Sequence, residues 1–385
     1  MIVAFVTNYP LNDGKLRSGV PFFISEAFKS NNAHVIEVFV QDKRNLLHRV
    51  WSRLWQWYAT FIHKSLYDSF YSVATSKSYA TQVHQQLDHI KPDFILSIHP
   101  NLIAHVKTKI PLILWLDNSF DTFSLYPDVN NYVVKTKEEA LFNEYSGLAK
   151  SETVYVASSY LRIFLQKKYP DIQSKFKILP RGANLIHRPE REFIVKLVKH
   201  KINSSVLKLV YVNSGWWKRK GGDMVLAIYK ELSKHLPVEL NIIGKVDEVQ
   251  SALFNADPNI VLHGKIDKSQ IAGELQYQKI IYEMHYSLAP SIAEGFGIVN
   301  AEMAALGVPS VGFGIMGVTE SIKQNVTGWH LPESANAKNF AELILEKWQD
   351  KLLYESTCLS AYDYALEHFD WQKNVAEIIT GIKEN

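Results

Sequence analysis

Cysteine is all but missing from this chain: Cys358 is the single one in 385 residues, so no internal disulfide can form. The 14 histidines are scattered without ligand spacing, and one thiol added to them makes no zinc signature. No apolar run approaches the roughly 18 residues of a membrane-spanning helix. Charge of one sign is also lacking. A formal net charge of +3 gives no whole-protein case for nucleic acid as a partner. Internal repeats and low-complexity tracts are absent as well, which excludes solenoids and disordered tails. The N-terminus has no basic leader, and its apolar run Ile2 to Val6 reads as a first strand and not as a signal peptide, so a cytoplasmic protein is expected.

What remains is an ordinary globular composition, 47% hydrophobic and 21% charged, on a chain too long for one core. Strands are expected at 2–7, 35–40, 94–98, 111–116 and 153–157, alternating with helices such as 21–30. A second series follows at 208–212, 239–244, 260–263, 284–289 and 309–313. Such alternation predicts α/β architecture with parallel sheets wound on both sides. Two doubly wound, Rossmann-like domains, residues 1–190 and residues 204–365, are expected to face a central cleft. The charged, aperiodic stretch 186–204 reads as the connection, and 366–385 as a C-terminal helix packing back on the first domain.

Residues 290 to 309 carry the most chemistry. Glu294 and Glu302 stand eight positions apart across Gly295-Phe296-Gly297-Ile298, with Gly307 and Pro309 as a helix stop. Glu294 is placed in a strand-to-helix loop and Glu302 about two turns inside the helix. A helix start exposes unpaired N–H groups and the positive end of its dipole, and the glycines admit an anion close to the backbone. Eight helical residues span about 12 Å, enough for the two carboxylates to hold opposite ends of an elongated ligand. Carboxylates accept only, so sugar hydroxyls are natural partners.

After the strand 208–212 comes Asn213-Ser214-Gly215-Trp216-Trp217-Lys218-Arg219-Lys220-Gly221-Gly222. Three cations at a helix N-terminus followed by glycines form an anion site suited to a diphosphate. Charge alone does not rank Arg219 against Lys220, although the planar guanidinium suits two phosphate oxygens.

Together these stretches resemble retaining glycosyltransferases of the GT-B fold, family 4 (glycosyl transferases group 1), whose hallmark is Glu, seven residues, then Glu. Gly314 to Glu320 resembles that family's second glycine loop, Asn325 to His330 a turn before the edge strand, Ile178 to Asn184 the segment closing the first domain, and Phe369-Asp370-Trp371 a box before the last helix. The resemblance implies a hexosyltransferase-type enzyme that moves a sugar from a nucleotide-diphosphate sugar to a glycan or lipid-linked acceptor with the anomeric configuration kept, as in bacterial surface polysaccharide or glycolipid assembly. It implies that Glu302 holds ribose hydroxyls and Glu294 the donor sugar. Arg219, Lys220 and the N–H groups of Phe296 and Gly297 then stabilise the diphosphate. Gly215 stands where members usually carry an arginine, and the chain is closer to a subgroup with Trp-x-Arg-Lys-Gly-Gly. No two aspartates stand two apart, so the Asp-x-Asp metal handle of the other glycosyltransferase fold is missing. Neither a cofactor nor a divalent metal is expected to be required. A sugar-nucleotide epimerase and a non-catalytic glycan- or transferase-binding partner on the same fold stay open as alternatives.

In the first domain Ser18-Gly19-Val20-Pro21 closes the loop after the first strand, with Pro21 at a first helical position. It resembles the family's first glycine loop beside the donor phosphates. His99 follows one strand, and Asp117 with Asn118 follows the next. Family members commonly place a sugar-contacting histidine where Asp117 stands; His99 is either its substitute or a structural histidine.

Residues 43 to 67 hold five Lys or Arg and no acidic residue, interleaved with aromatics. At about 100° per residue, Trp51, Trp55, Tyr58, Ile62 and Leu66 form one stripe and Arg49, Arg53, Gln56, Thr60 and Lys64 another, with Trp57 between them. A basic, Trp-rich amphipathic helix suits an anionic membrane surface, which makes peripheral attachment at the inner membrane face an expectation. The same stripe serves equally as core against the first sheet.

Overall fold

A computed structural model describes the chain apart from residues 44, 45, 128, 130, 214, 384 and 385 and the side chains of residues 249 and 253. Two compact units divide it, Met1–Leu179 with the chain from Val375 on, and Pro180–Asn374.

The first unit carries a parallel sheet of β1 (Ile2–Thr7), β2 (His34–Phe39), β3 (Phe94–Ser97), β4 (Leu112–Leu116), β5 (Thr153–Val156) and β6 (Phe176–Ile178), in the order β2-β1-β3-β4-β5-β6. Strands β3, β4 and β5 are buried at every position, which is why they read as unbroken apolar runs and not as alternating ones. Val6, Val38, Ile95, Leu114 and Val154 pack with helix residues Val83, Leu148 and Leu165 into the core of this unit. Strand β6, three residues long and only partly apolar, is the one the sequence did not announce. The direction of winding reverses between β1 and β3. Ligands in such sheets sit beyond the carboxyl ends of the strands at that reversal.

The second unit carries β7 (Leu207–Asn213), β8 (Val238–Gly244), β9 (Ile260–Gly264), β10 (Tyr286–Ala289), β11 (Ser310–Phe313) and β12 (Gly328–Leu331), all parallel. Their order is β9-β8-β7-β10-β11-β12, that of dinucleotide-binding sheets. The reversal falls between β7 and β10, paired through Leu209 with Tyr286 and Val210 with Ser287. The basic turn and the glutamate loop follow these two strands.

One expectation changes. Residues 186–204 contain a helix, Arg191–Lys201, whose Ile194 and Val198 are fully buried and whose Lys201 Nζ donates to Met284 O across 2.9 Å. Arg191, Glu192, Lys196 and Lys199 face outward and hide the short apolar seam, while Lys201 is buried. Near the C-terminus, Trp371 lies against Gly182, where an added Cβ would come 2.3 Å from the indole, and its Nε1 donates to Asn184 Oδ1 across 2.9 Å. Ala183 N also donates to Phe369 O at 2.8 Å. The segments 178–184 and 369–371, far apart in sequence, thus close on each other within the second unit. The helix Trp371–Lys383 begins there, and its remainder, with Val375 and Ile378 fully buried, belongs with the first unit.

The 43–67 stripe is also redrawn. A helix spans Leu46–Ile62, residues 44 and 45 lie outside the described residues, and Leu66 is past the helix end, bridged to Tyr132. Only Ser52 and Ala59 are buried, with Trp55 half-buried beside them.

Candidate functional site

The turn after β7 is shaped by Asn213, whose Oδ1 accepts from Gly215 N at 3.0 Å and Trp216 N at 3.1 Å. Trp217 anchors its far side, stacking on Phe254 and donating from Nε1 to Asp223 across 2.7 Å. These contacts turn Lys218 to solvent and point Arg219 and Lys220 inward. Gly221 then adopts φ +73°, and a Cβ there would lie 2.0 Å from Pro290 O. Only glycine allows the two loops to approach this closely. Ile292 N donating to Arg219 O across 2.9 Å completes the stitch.

Lys220 Nζ forms an ion pair with Glu294 Oε2, and Arg219 Nη1 lies 3.6 Å from the same oxygen while donating to Ala293 O at 3.1 Å. Both cations therefore converge on one carboxylate. Gly297, at φ +90°, caps the helix Ile298–Ala305, as the glycine loop and stop signal predict. Gly317 N donates to Glu294 O at 3.2 Å, and a Cβ on Gly317 would strike Gly295 O at 1.7 Å, so the second glycine loop packs directly on the first. Tyr211, Lys220, Ser291, Glu294, Gly297 and Asn300 line one small, partly open cavity there. Phe296 points the other way, its ring edge-on to Phe369, and Ile298 is half-buried. Gly215 is exposed, with open space around the position of an added Cβ.

Glu302 is 1% exposed. Tyr277 donates from its phenol to Glu302 Oε2, and Lys268 forms an ion pair with Oε1. Burial, then the nearby carboxylate, push the Tyr277 hydroxyl well above its ordinary range, so it remains a donor. Sequence reading missed Tyr277, Lys268 and Asn300. Asn300 donates from Nδ2 to Ser321 Oγ across 3.0 Å while its Oδ1 is buried without a partner among the described residues. A polar residue inside the apolar helix start Ile-Val-Asn-Ala was the available signal.

In the first unit, Arg17, Ser18 and Gly19 take φ of 50°, 56° and 79° in succession after β1, and Gly19 caps the helix Val20–Ser30. Arg17 and Ser18 carry strain that glycine escapes. His99 sits at the end of β3 against Phe70 and Tyr71, with its Nδ1 buried. Burial, then the charge of Arg17, hold its pKa down to about 3, so the ring is neutral. Asn118 donates to the Tyr126 hydroxyl at 3.0 Å and accepts from Thr122 at 3.3 Å, while Asp117 beside it is half-buried. The loops after β1 and β3 thus flank the first sheet's reversal, and Asp117 with Asn118 follow β4.

Residues 207–350 match the family model described as Glycosyl transferases group 1. An uncharacterized 41.2 kDa protein in the cps region of Klebsiella pneumoniae is 25% identical over 184 residues, 47% of this chain and 48% of that protein. The match spans about half the length of that relative. Among solved structures, WaaG, a glycosyltransferase involved in lipopolysaccharide biosynthesis, aligns at TM-score 0.64 and 17% identity over 98% of this chain and all (100%) of its own. Sucrose-phosphate synthase from Thermosynechococcus elongatus aligns at TM-score 0.70 and 12% identity over 100% and 98% of the two chains. HepE of Anabaena, solved with UDP and glucose, aligns at TM-score 0.64 and 14% identity over 99% and 100%. At such identities these structures show the fold, which is GT-B with its two parallel six-stranded sheets. The family match falls in the second unit, and the likeness over the whole chain is one of fold.

Proposed function

We propose that the protein transfers a sugar from a nucleotide-diphosphate donor to an acceptor hydroxyl and keeps the anomeric configuration, as a family 4 enzyme. One observation carries this reading furthest: Lys220, Glu294 and Gly297 line a single cavity at the carboxyl ends of β7 and β10. Negative charge grows on the leaving diphosphate as the sugar bond breaks. Cations and N–H groups already oriented toward that position stabilise the transition state more than the substrate. Arg219, Lys220 and the amides of the Gly295–Gly297 bend supply them. Since these groups provide the positive charge, no divalent metal is needed. Glu302 holds the ribose hydroxyls and Glu294 the donor sugar; the leaving phosphate accepts the acceptor's proton, so no separate base is assigned. In the free protein Lys220 rests on Glu294, and a diphosphate entering the cavity takes over the lysine and frees the carboxylate for sugar hydroxyls.

The relative in a cps region and the likeness to a lipopolysaccharide glycosyltransferase support a role in bacterial surface polysaccharide or glycolipid assembly, with a hexose as the transferred sugar and a glycan or lipid-linked acceptor. Incubation with a panel of labelled nucleotide sugars tests the reading. Slow donor hydrolysis with one member, abolished by Lys220→Ala and unaffected by a chelator, is the expected result. Donor conversion to an epimer without acceptor, or calorimetric binding of no nucleotide at all, overturns it.

A further inference from the structure

The helix Leu46–Ile62 leaves a large apolar surface uncovered in the first unit. Ser52 and Ala59 are its buried positions, and Trp55 stacks on Tyr67 beneath Lys135, beside Ala59 and Val133. At about 100° per residue these three mark the side that meets the protein. Leu46, Val50, Leu54, Trp57 and Phe61 fall within an arc of about 80° centred on the opposite side. They are 74%, 46%, 54%, 56% and 67% exposed. No polar residue interrupts that arc. Trp57, which sequence periodicity left between stripes, is near its middle, and Trp55 is spent on holding the helix in place.

The charges around the face identify its occupant. Arg49 and Arg53 border one flank, Lys43 and Lys64 stand at the two ends, all are exposed, and no Asp or Glu occurs from 43 to 67. Trp51 and Tyr58, 55% and 41% exposed, border the other flank, where amphipathic rings suit a headgroup layer. A second copy of the chain fits less well, since an antiparallel two-fold contact through this face brings two identical cationic flanks together. No helix among the described residues is long and apolar enough to cross a membrane.

We propose that the outward face Leu46-Val50-Leu54-Trp57-Phe61 docks the protein in the plane of an anionic lipid surface. The apolar arc enters the boundary between headgroups and acyl chains, and the arginines stay at the phosphates. The inference goes beyond the catalytic reading, because vesicle binding requires neither donor nor acceptor.

Co-sedimentation with phosphatidylglycerol–phosphatidylethanolamine vesicles, without any nucleotide, tests it. Wild-type protein is expected to pellet with these and not with pure phosphatidylcholine, and to be released in about 0.5 M salt. The double variant W57E/F61E is expected to bind at least about tenfold more weakly. Its thermal transition should not move, since both side chains are exposed. R49A/R53A is expected to lose the preference for anionic lipid. Equal binding by W57E/F61E and wild type, or a wild-type dimer that this variant splits while neither pellets, overturns the proposal.

Discussion

The phenol of Tyr277 donates to Glu302 Oε2 across 2.8 Å, while Lys268 holds Oε1 and lies 4.6 Å from the centre of the Tyr277 ring. A carboxylate offers about four lone-pair sites, so these partners fix its plane and leave two for the ribose hydroxyls proposed above. Tyr277→Phe removes a buried hydrogen bond to a charged group, typically about 1.5 kcal/mol or more. Nucleotide affinity measured by titration calorimetry should fall about tenfold with little change in kcat. An unchanged Kd would show that Glu302 does not rely on its neighbour.

Lys220 and Arg219 differ in their partners. Lys220 pairs with Glu294, whereas Arg219 also braces the Ala293 carbonyl. Lys220→Ala should lower kcat/KM about a hundredfold or more with the fold intact. Arg219→Lys, which gives up the guanidinium fork, should lower both activity and melting temperature. Equal melting temperatures for Arg219→Lys and wild type would remove the bracing role.

Gly221 is where the two loops touch. Alanine at φ +73° with its Cβ 2.0 Å from Pro290 O must push one backbone away. Denaturant unfolding should show a loss of about 2 kcal/mol or more, and donor hydrolysis should fall in parallel. Gly215→Ala, at φ +105° but in open space, serves as the control for backbone strain alone.

Acid sensitivity should trace in part to His285. It is 1% exposed, accepts from Lys208 N at 2.8 Å through Nδ1, and lies 3.2 Å from Lys201 O through Nε2. Burial, then the positive charge of Lys201, hold its pKa to about 3, against an ordinary value of 6.5. Between those values the unfolded chain binds a proton that the folded chain refuses, so stability is full above pH 6.5 and declines as pH falls toward 3. The slope is up to about 1.4 kcal/mol per pH unit for one such group. Melting temperature followed from about pH 7 to about 4.5 should fall less steeply in His285→Gln than in wild type. Parallel curves would assign the acid sensitivity to other groups.

The glycine loop of the second unit was legible because its signals are local. Gly297 permits a positive φ, the apolar spacing of 298–306 sets a helix, and Gly307 with Pro309 ends it, all within twenty residues. Buried strands such as β4 were legible for the same reason. Tyr277 and Lys268 were not, since they reach Glu302 from 25 and 34 positions away and share no period with it. The Arg191–Lys201 helix was obscured by its own charges, most of which face outward over a seam of two fully buried apolar residues. On the helix Leu46–Ile62, hydrophobic periodicity could not say which apolar stripe meets the protein, because apolar residues run without a break over about half its circumference.

Sequence alone determined most of the alternation of strands and helices, the two glycine-capped helix starts and the carboxylates on either side of the second of them. These depend on backbone freedom, burial period and charge within a few turns of chain. Tertiary structure decided the rest. The parallel order placed the β7 and β10 loops side by side at the sheet's reversal, turned Arg219 and Lys220 onto Glu294, and left Trp57 facing outward, since which strands become neighbours and which face is covered follow from contacts between distant segments.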